Sequence, residues 1–193
     1  MKTWLPLVLL LALGAMADAA EVNGIALPDE LRLDTDGPLL TLNGAGVRKK
    51  FFFSVNVVGL YLPEKRRTSA EVLALSGPKR ITLVMLRDVS AEQFIDALRD
   101  GLNNNTPPEE IERLAPRMAA FEALLRDLEE VQEGDVVYLD YLPGAGTRLT
   151  LNGDVQSEPI AGADFYAALL RSYLGERPAD SGLKRALLGA EQE

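Results

Sequence analysis

The chain has 193 residues, a net charge of −9, and neither cysteine nor histidine. That length suits one domain with a core large enough to stand without disulfides, and the acidic balance without a basic block speaks against nucleic acid and against adsorption to anionic lipid. Without histidine there is no Ser-His-Asp or Cys-His nucleophile and no histidine-held metal, so any proton transfer falls to Asp, Glu, Lys or Tyr.

In chain order, Lys2 precedes the apolar run 5–13, broken only by Pro6, and Ala17-Asp18-Ala19 follows. A positive start, a short apolar stretch and a small-x-small site read as a secretory leader over 1–19, with a single domain over 20–193 in the periplasm or outside the cell. An uncleaved anchor is the competing reading, but a spanning helix usually needs about 18 or more apolar residues. No cysteine follows the run, so lipid attachment there is excluded.

The next part reads as β, with strands over 22–27, 31–33, 39–42 and 48–62, the last ended by Pro63. A short helix capped by Thr68 or Ser69 and a strand over 79–87 follow. Ser90-Ala-Glu-Gln93 is a capping box, behind which Phe94, Ile95, Leu98 and Leu102 recur at helical spacing. Thr106-Pro-Pro-Glu109 opens a second helix, with Pro107 at its first position and Pro116 as a point of bending. Ile111, Leu114, Met118, Phe121, Leu125 and Leu128 make its apolar stripe. A meander over 135–142, 147–151 and 154–158 turns at 143–146 and at Asn152-Gly153, a two-residue hairpin signal. Helices over 163–174, closed by Gly175, and 180–188, capped by Asp180, end the chain. Strands first, helices grouped and a meander after them argue for α+β, an antiparallel sheet covered by a helical layer.

Few residues carry chemistry. Gly44-Ala-Gly46 and Gly144-Ala-Gly146 lack the Lys-Ser/Thr of a phosphate loop and read as turns. Glu109-Glu110, Glu112 and Glu129-Glu130 lie off the apolar stripe and read as a solvated face; no calcium loop is present, and no cofactor or metal is expected. Within 48–62, Phe51, Phe53, Val55, Val57 and Gly59 alternate with Arg48, Lys50, Phe52, Ser54, Asn56, Val58 and Leu60. Successive side chains point to opposite faces. The first set reads as dry core, and the second as a greasy wall with a few polar groups, which suits a ligand pocket. Solvated strand-end cations and a satisfied core asparagine are the competing reading. Eight extended residues span roughly 26 Å, so Arg48 and Asn56 share one headgroup only if the strand bends between them.

The segment "NGAGVRKKFFFSVNVVGLYLP" resembles the signature of the chalcone isomerase-like superfamily, and "LLRSYLGERPADSGLKRALLG" resembles its closing segment. The resemblance spans residues 25–188 and implies an open-faced β-sandwich, a large antiparallel sheet under a helical layer with a ligand cleft between. It implies either ring closure of a chalcone or fatty-acid binding with the carboxylate near the family arginine. Arg48 falls on that arginine, Asn56 where the enzymes carry threonine, and Ser172 where they carry threonine or serine. Phe94 and Gly101 fall nearest the tyrosine and asparagine of the enzymes, so both groups are absent. Losing one donor to a developing oxyanion typically costs ~10²–10³ in rate. The expectation is therefore a non-catalytic binder of a fatty acid or similar apolar ligand with an acidic head, held by Arg48, Asn56, Ser172 and Phe94. The alternatives are a chalcone isomerase-type enzyme and an envelope partner protein with a vestigial cleft.

Overall fold

Tight hairpins organise the β-rich first part. The computed structural model describes residues 19–190, so the leader expected at 1–19 lies outside the described residues except for Ala19. Strands β1 (Ala19–Val22) and β2 (Ile25–Pro28) pair across Asn23-Gly24. Both turn residues have positive φ, 53° and 76°. The single strand expected over 22–27 is this hairpin, because Asn-Gly supplies the left-handed backbone a two-residue loop needs.

The strand expected over 48–62 is likewise two strands. After β3 (Glu30–Arg32), β4 runs Leu39–Lys50 and β5 runs Phe53–Leu62. The chain reverses at Phe51-Phe52, with Phe51 at φ 56°. No glycine, asparagine or proline marks this turn in the sequence.

The remaining elements follow the sequence closely. They are α1 (Ser69–Ala74), β6 (Lys79–Met85), β7 (Val89–Ser90), α2 (Ala91–Asn105), α3 (Pro108–Asp127) and β8 (Glu130–Val131), then β9 (Val136–Leu142), β10 (Gly146–Leu151), β11 (Asp154–Val155), α4 (Ala163–Leu174) and α5 (Ser181–Leu187). Thr68 with Glu71, and Ser90 with Gln93, close reciprocal capping boxes, and Asp180 accepts from the Leu183 amide. Pro107 is the cap of α3 rather than its first turn, and the helix runs unbroken through Pro116. Gly175 ends α4 at φ −70° and is not left-handed. It is small because a Cβ there would strike the Asn105 side chain and the Arg171 carbonyl.

Seven strands form one antiparallel sheet in the order β11-β10-β9-β6-β5-β4-β3. Alternation along β5 divides two cores. Val58, Leu60 and Leu62 pack with Ile95, Phe121, Phe165 and Tyr166 of the helical layer. Val57 and Tyr61 face the other way, with Leu27, Leu40 and the β1–β2 hairpin. This is the α+β sandwich the sequence implied.

Candidate functional site

The hairpin removes the distance problem. Arg48 on β4 lies directly opposite Asn56 on β5, while Lys49 pairs with Ser54. Opposed residues of antiparallel strands sit about 5 Å apart at Cα, so the two are neighbours. Val55 is the extra residue of a β-bulge between these pairs. A bulge re-aims side chains locally, and here both Val55 and Asn56 reach one cavity.

That cavity has a volume of about 60 Å³ and lies between the sheet and α2, α4 and α5. Arg48, Asn56, Phe94 and Ser172, the four residues singled out in the sequence, all line it. Its apolar wall includes Met85, Val89, Leu98, Phe121, Leu139 and Leu183. Strict alternation does not extend through the turn residues. Phe51, Phe53 and Phe52 are 86%, 59% and 99% exposed, neither dry core nor pocket wall, because the chain reverses there.

The polar groups are unevenly satisfied. Asn56 is buried; its Nδ2 makes only a 3.9 Å contact to Met85 Sδ, and its Oδ1 has no partner. The Arg48 side chain is half-buried and makes no hydrogen bond or ion pair among the described residues. The nearby Asp180 carboxylate is occupied by the amides of Lys49 and Leu183. Ser172 donates to Leu169 O at 2.6 Å. One residue escaped the sequence reading: Tyr173, next to Ser172, also lines the cavity. Burial raises its pKa and the Arg48 charge opposes that shift, so the phenol stays protonated, a donor, in the neutral range.

At Gly101, where the resemblance implies an asparagine in the enzymes, there is no room for one. A Cβ on Gly101 would stand 2.5 Å from Ser172 Cβ. Helices α2 and α4 touch at this point, so no longer side chain fits. Phe94, half-buried two turns earlier on the same face of α2, fills space at the cavity wall.

A second, wider hollow of about 450 Å³ lies by α1, α4 and the end of β9. Its polar groups are satisfied: Lys79 Nζ donates to Leu75 O at 2.6 Å and Tyr166 Oη to Leu139 O at 3.0 Å. The smaller cavity is the better candidate, because it alone of the two joins an apolar wall to a cation unpaired among the described residues and an unpaired amide oxygen. No group of three or more metal-ligating side chains occurs among the described residues.

The fold and cavity define an open-faced sheet–helix sandwich with a small apolar cleft between its layers. The chain belongs to the chalcone isomerase-like family, whose model matches residues 19–189. Among solved structures it resembles the fatty-acid binding protein AtFAP1 of Arabidopsis thaliana, with a TM-score of 0.62 and 15% identity over 86% of this chain and 92% of that one. At that identity the likeness establishes the fold. A search of curated proteins finds no significant sequence match.

Proposed function

We propose that the protein binds an apolar carboxylic acid in the sheet–helix cleft, outside the cytoplasm, without transforming it. The observation that carries the reading is Arg48: a half-buried guanidinium at an apolar wall with no partner among the described residues, opposite an asparagine whose side-chain oxygen also lacks one. A desolvated cation is costly until an anion completes it, and a guanidinium grips a carboxylate with two parallel hydrogen bonds. The fold-neighbour described as a fatty-acid binding protein supports the ligand class. A cavity of about 60 Å³ has room for a headgroup and little more. A long chain therefore enters only as Phe94 and Leu98 on α2 swing aside.

Native mass spectrometry of protein purified from its host tests this reading. A bound carboxylic acid lost on Arg48→Met supports it. Protein that is empty and that takes up no added acid favours the vestigial-cleft partner instead. The secreted setting is tested by N-terminal sequencing, which should find a chain starting near Ala20.

One observation favours a second reading, an isomerase. Tyr173 provides a protonated phenol in the cavity with Arg48, a donor that could steady a developing oxyanion. A flavanone-forming assay decides. Stereoselective turnover abolished by both Arg48→Met and Tyr173→Phe would replace the binding reading.

A further inference from the structure

Three consecutive phenylalanines stand in solvent at the β4–β5 tip, 86%, 99% and 59% exposed. The same protein solves the two-residue turn differently elsewhere, with Asn23-Gly24 and Asn152-Gly153 at positive φ. At this tip a phenylalanine occupies the left-handed position, φ 56°, where a bulky side chain is strained. Local stability favours Asn-Gly, and exposure of three rings favours polar residues; the tip sacrifices both.

The surroundings are cationic. Lys49 and Lys50 are exposed beside the rings, and Arg87 stacks over Phe53 at 4.8 Å. Nearby, Asp180 accepts from the amides of Lys49 and Leu183, and Asp88, next to Arg87, accepts from the Glu133 amide. The last residue of β5 in register with β6 is Asn56, so the tip overhangs its neighbour by roughly 7–10 Å.

We propose that this hairpin tip docks on an anionic lipid bilayer, with the phenylalanines in the interfacial zone and the surrounding cations on headgroup phosphates. Aromatic rings favour that zone, and basic residues near the surface add attraction to anionic lipid. The chain's net charge of −9 does not prevent this, because charges more than about 8 Å away are screened at physiological salt. The docking itself does not depend on what the cleft holds.

The chain has no cysteine, so Phe52→Cys and Ala145→Cys each provide one labelling site. Ala145 lies in the exposed turn at the opposite end of the sheet. With acrylodan attached, vesicles of phosphatidylglycerol and phosphatidylcholine should shift emission to the blue at position 52 and leave position 145 unchanged. Pure phosphatidylcholine should act more weakly. Installing the ordinary turn, Phe51→Asn with Phe52→Gly, should keep or raise the melting temperature and lower vesicle co-sedimentation at least about tenfold. Lys49→Glu with Lys50→Glu should remove the preference for anionic vesicles. No blue shift at position 52 overturns the proposal, whatever the rest of the chain does in co-sedimentation. If light scattering instead shows the Asn-Gly variant dissolving a dimer while vesicles have no effect, the tip is a self-contact and the proposal fails.

Discussion

Replacing Arg48 by methionine separates a binding role from a structural one. The side chain is half-buried and has no hydrogen bond or ion pair to lose among the described residues. Methionine keeps most of its length and apolar stem while removing a partly desolvated charge. The ligand-free protein should therefore melt at the same temperature or up to about 2 °C higher. Binding of a carboxylate should weaken by ~1.5–3 kcal/mol, the worth of a hydrogen bond to a charged group, or about 10- to 150-fold in Kd. The methyl ester of the same acid carries no charge, so its affinity should be nearly unchanged. Lys49→Met, on an exposed neighbour, should alter neither property. Fluorescent-ligand displacement with acid and ester, together with thermal melts, measures all of these on three proteins. If Arg48→Met lowers the melting temperature and leaves acid binding intact, or if acid and ester lose affinity equally, the guanidinium is not the carboxylate site.

Phe94→Ala should enlarge the cleft and shift preference toward longer acids in a calorimetric chain-length series. It should cost ~1–3 kcal/mol of stability, below the ~3–5 typical of a fully buried phenylalanine; an unchanged length preference would show that Phe94 does not gate the cleft. Gly101→Ala should destabilise by ~1–3 kcal/mol, because its Cβ meets Ser172 Cβ. Ser172→Gly in the same chain should recover part of that loss, and strict additivity in denaturant titrations would refute the contact. Burial raises the pKa of Tyr61, Tyr166 and Tyr173 above the ordinary value. Their folded state favours the proton, so this stability is complete below pH ~10 and is lost as pH rises through the folded values. Tyrosinate absorbance from these three should appear only together with unfolding, and early titration of Tyr173 in folded protein would mean that Arg48 outweighs burial.

What the sequence revealed depended on how local the determining chemistry is. Helix α4 was legible with the same bounds, Ala163–Leu174, and the caps at Thr68, Ser90 and Asp180 were readable because each is decided within a few residues. The Asn152-Gly153 turn was read correctly; the same signal at Asn23-Gly24 lay inside an apolar run and was absorbed into a strand. The turn at Phe51-Phe52 carries no local signal at all. It exists because β4 and β5 are held in register along their length and β5 is held by β6, a long-range pairing that outweighs the local preference. Even so, Arg48 and Asn56 were read onto one face, and they are: the turn and the bulge at Val55 together keep them there. Tyr173 was missed for a different reason. Adjacent helical residues point about 100° apart, so choosing Ser172 as cleft-facing argued against its neighbour, whereas the cleft wraps α4 far enough to take both.

Departures from local rules are not spread evenly over the molecule. The buried charges elsewhere have partners, Lys79 in the Leu75 carbonyl at 2.6 Å and the others in opposite charges. Arg80 and Arg148 share the fully buried Asp140, at 2.6 Å and 3.0 Å, and Glu122 is held bidentately by Arg99. At one end of β4 and β5, by contrast, four departures fall within nine residues of sequence: an arginine unpaired among the described residues, a left-handed phenylalanine among exposed rings, a bulge, and an asparagine with an orphaned oxygen. Each alone has a structural excuse. Other orphaned buried atoms, on Thr82, Thr106, Thr147, Arg148 and Arg171, are spread over β6, the end of α2, β10 and α4; the four departures together mark the region where stability yields to something else. The asparagine and arginine open onto the cleft and the phenylalanines onto solvent, so a single hairpin carries both surfaces. Ligand affinity and membrane affinity should therefore respond to different residues of that hairpin, Arg48 for the first and Phe51–Phe52 for the second. A variant set that moves both affinities in parallel would show that the two surfaces are one site.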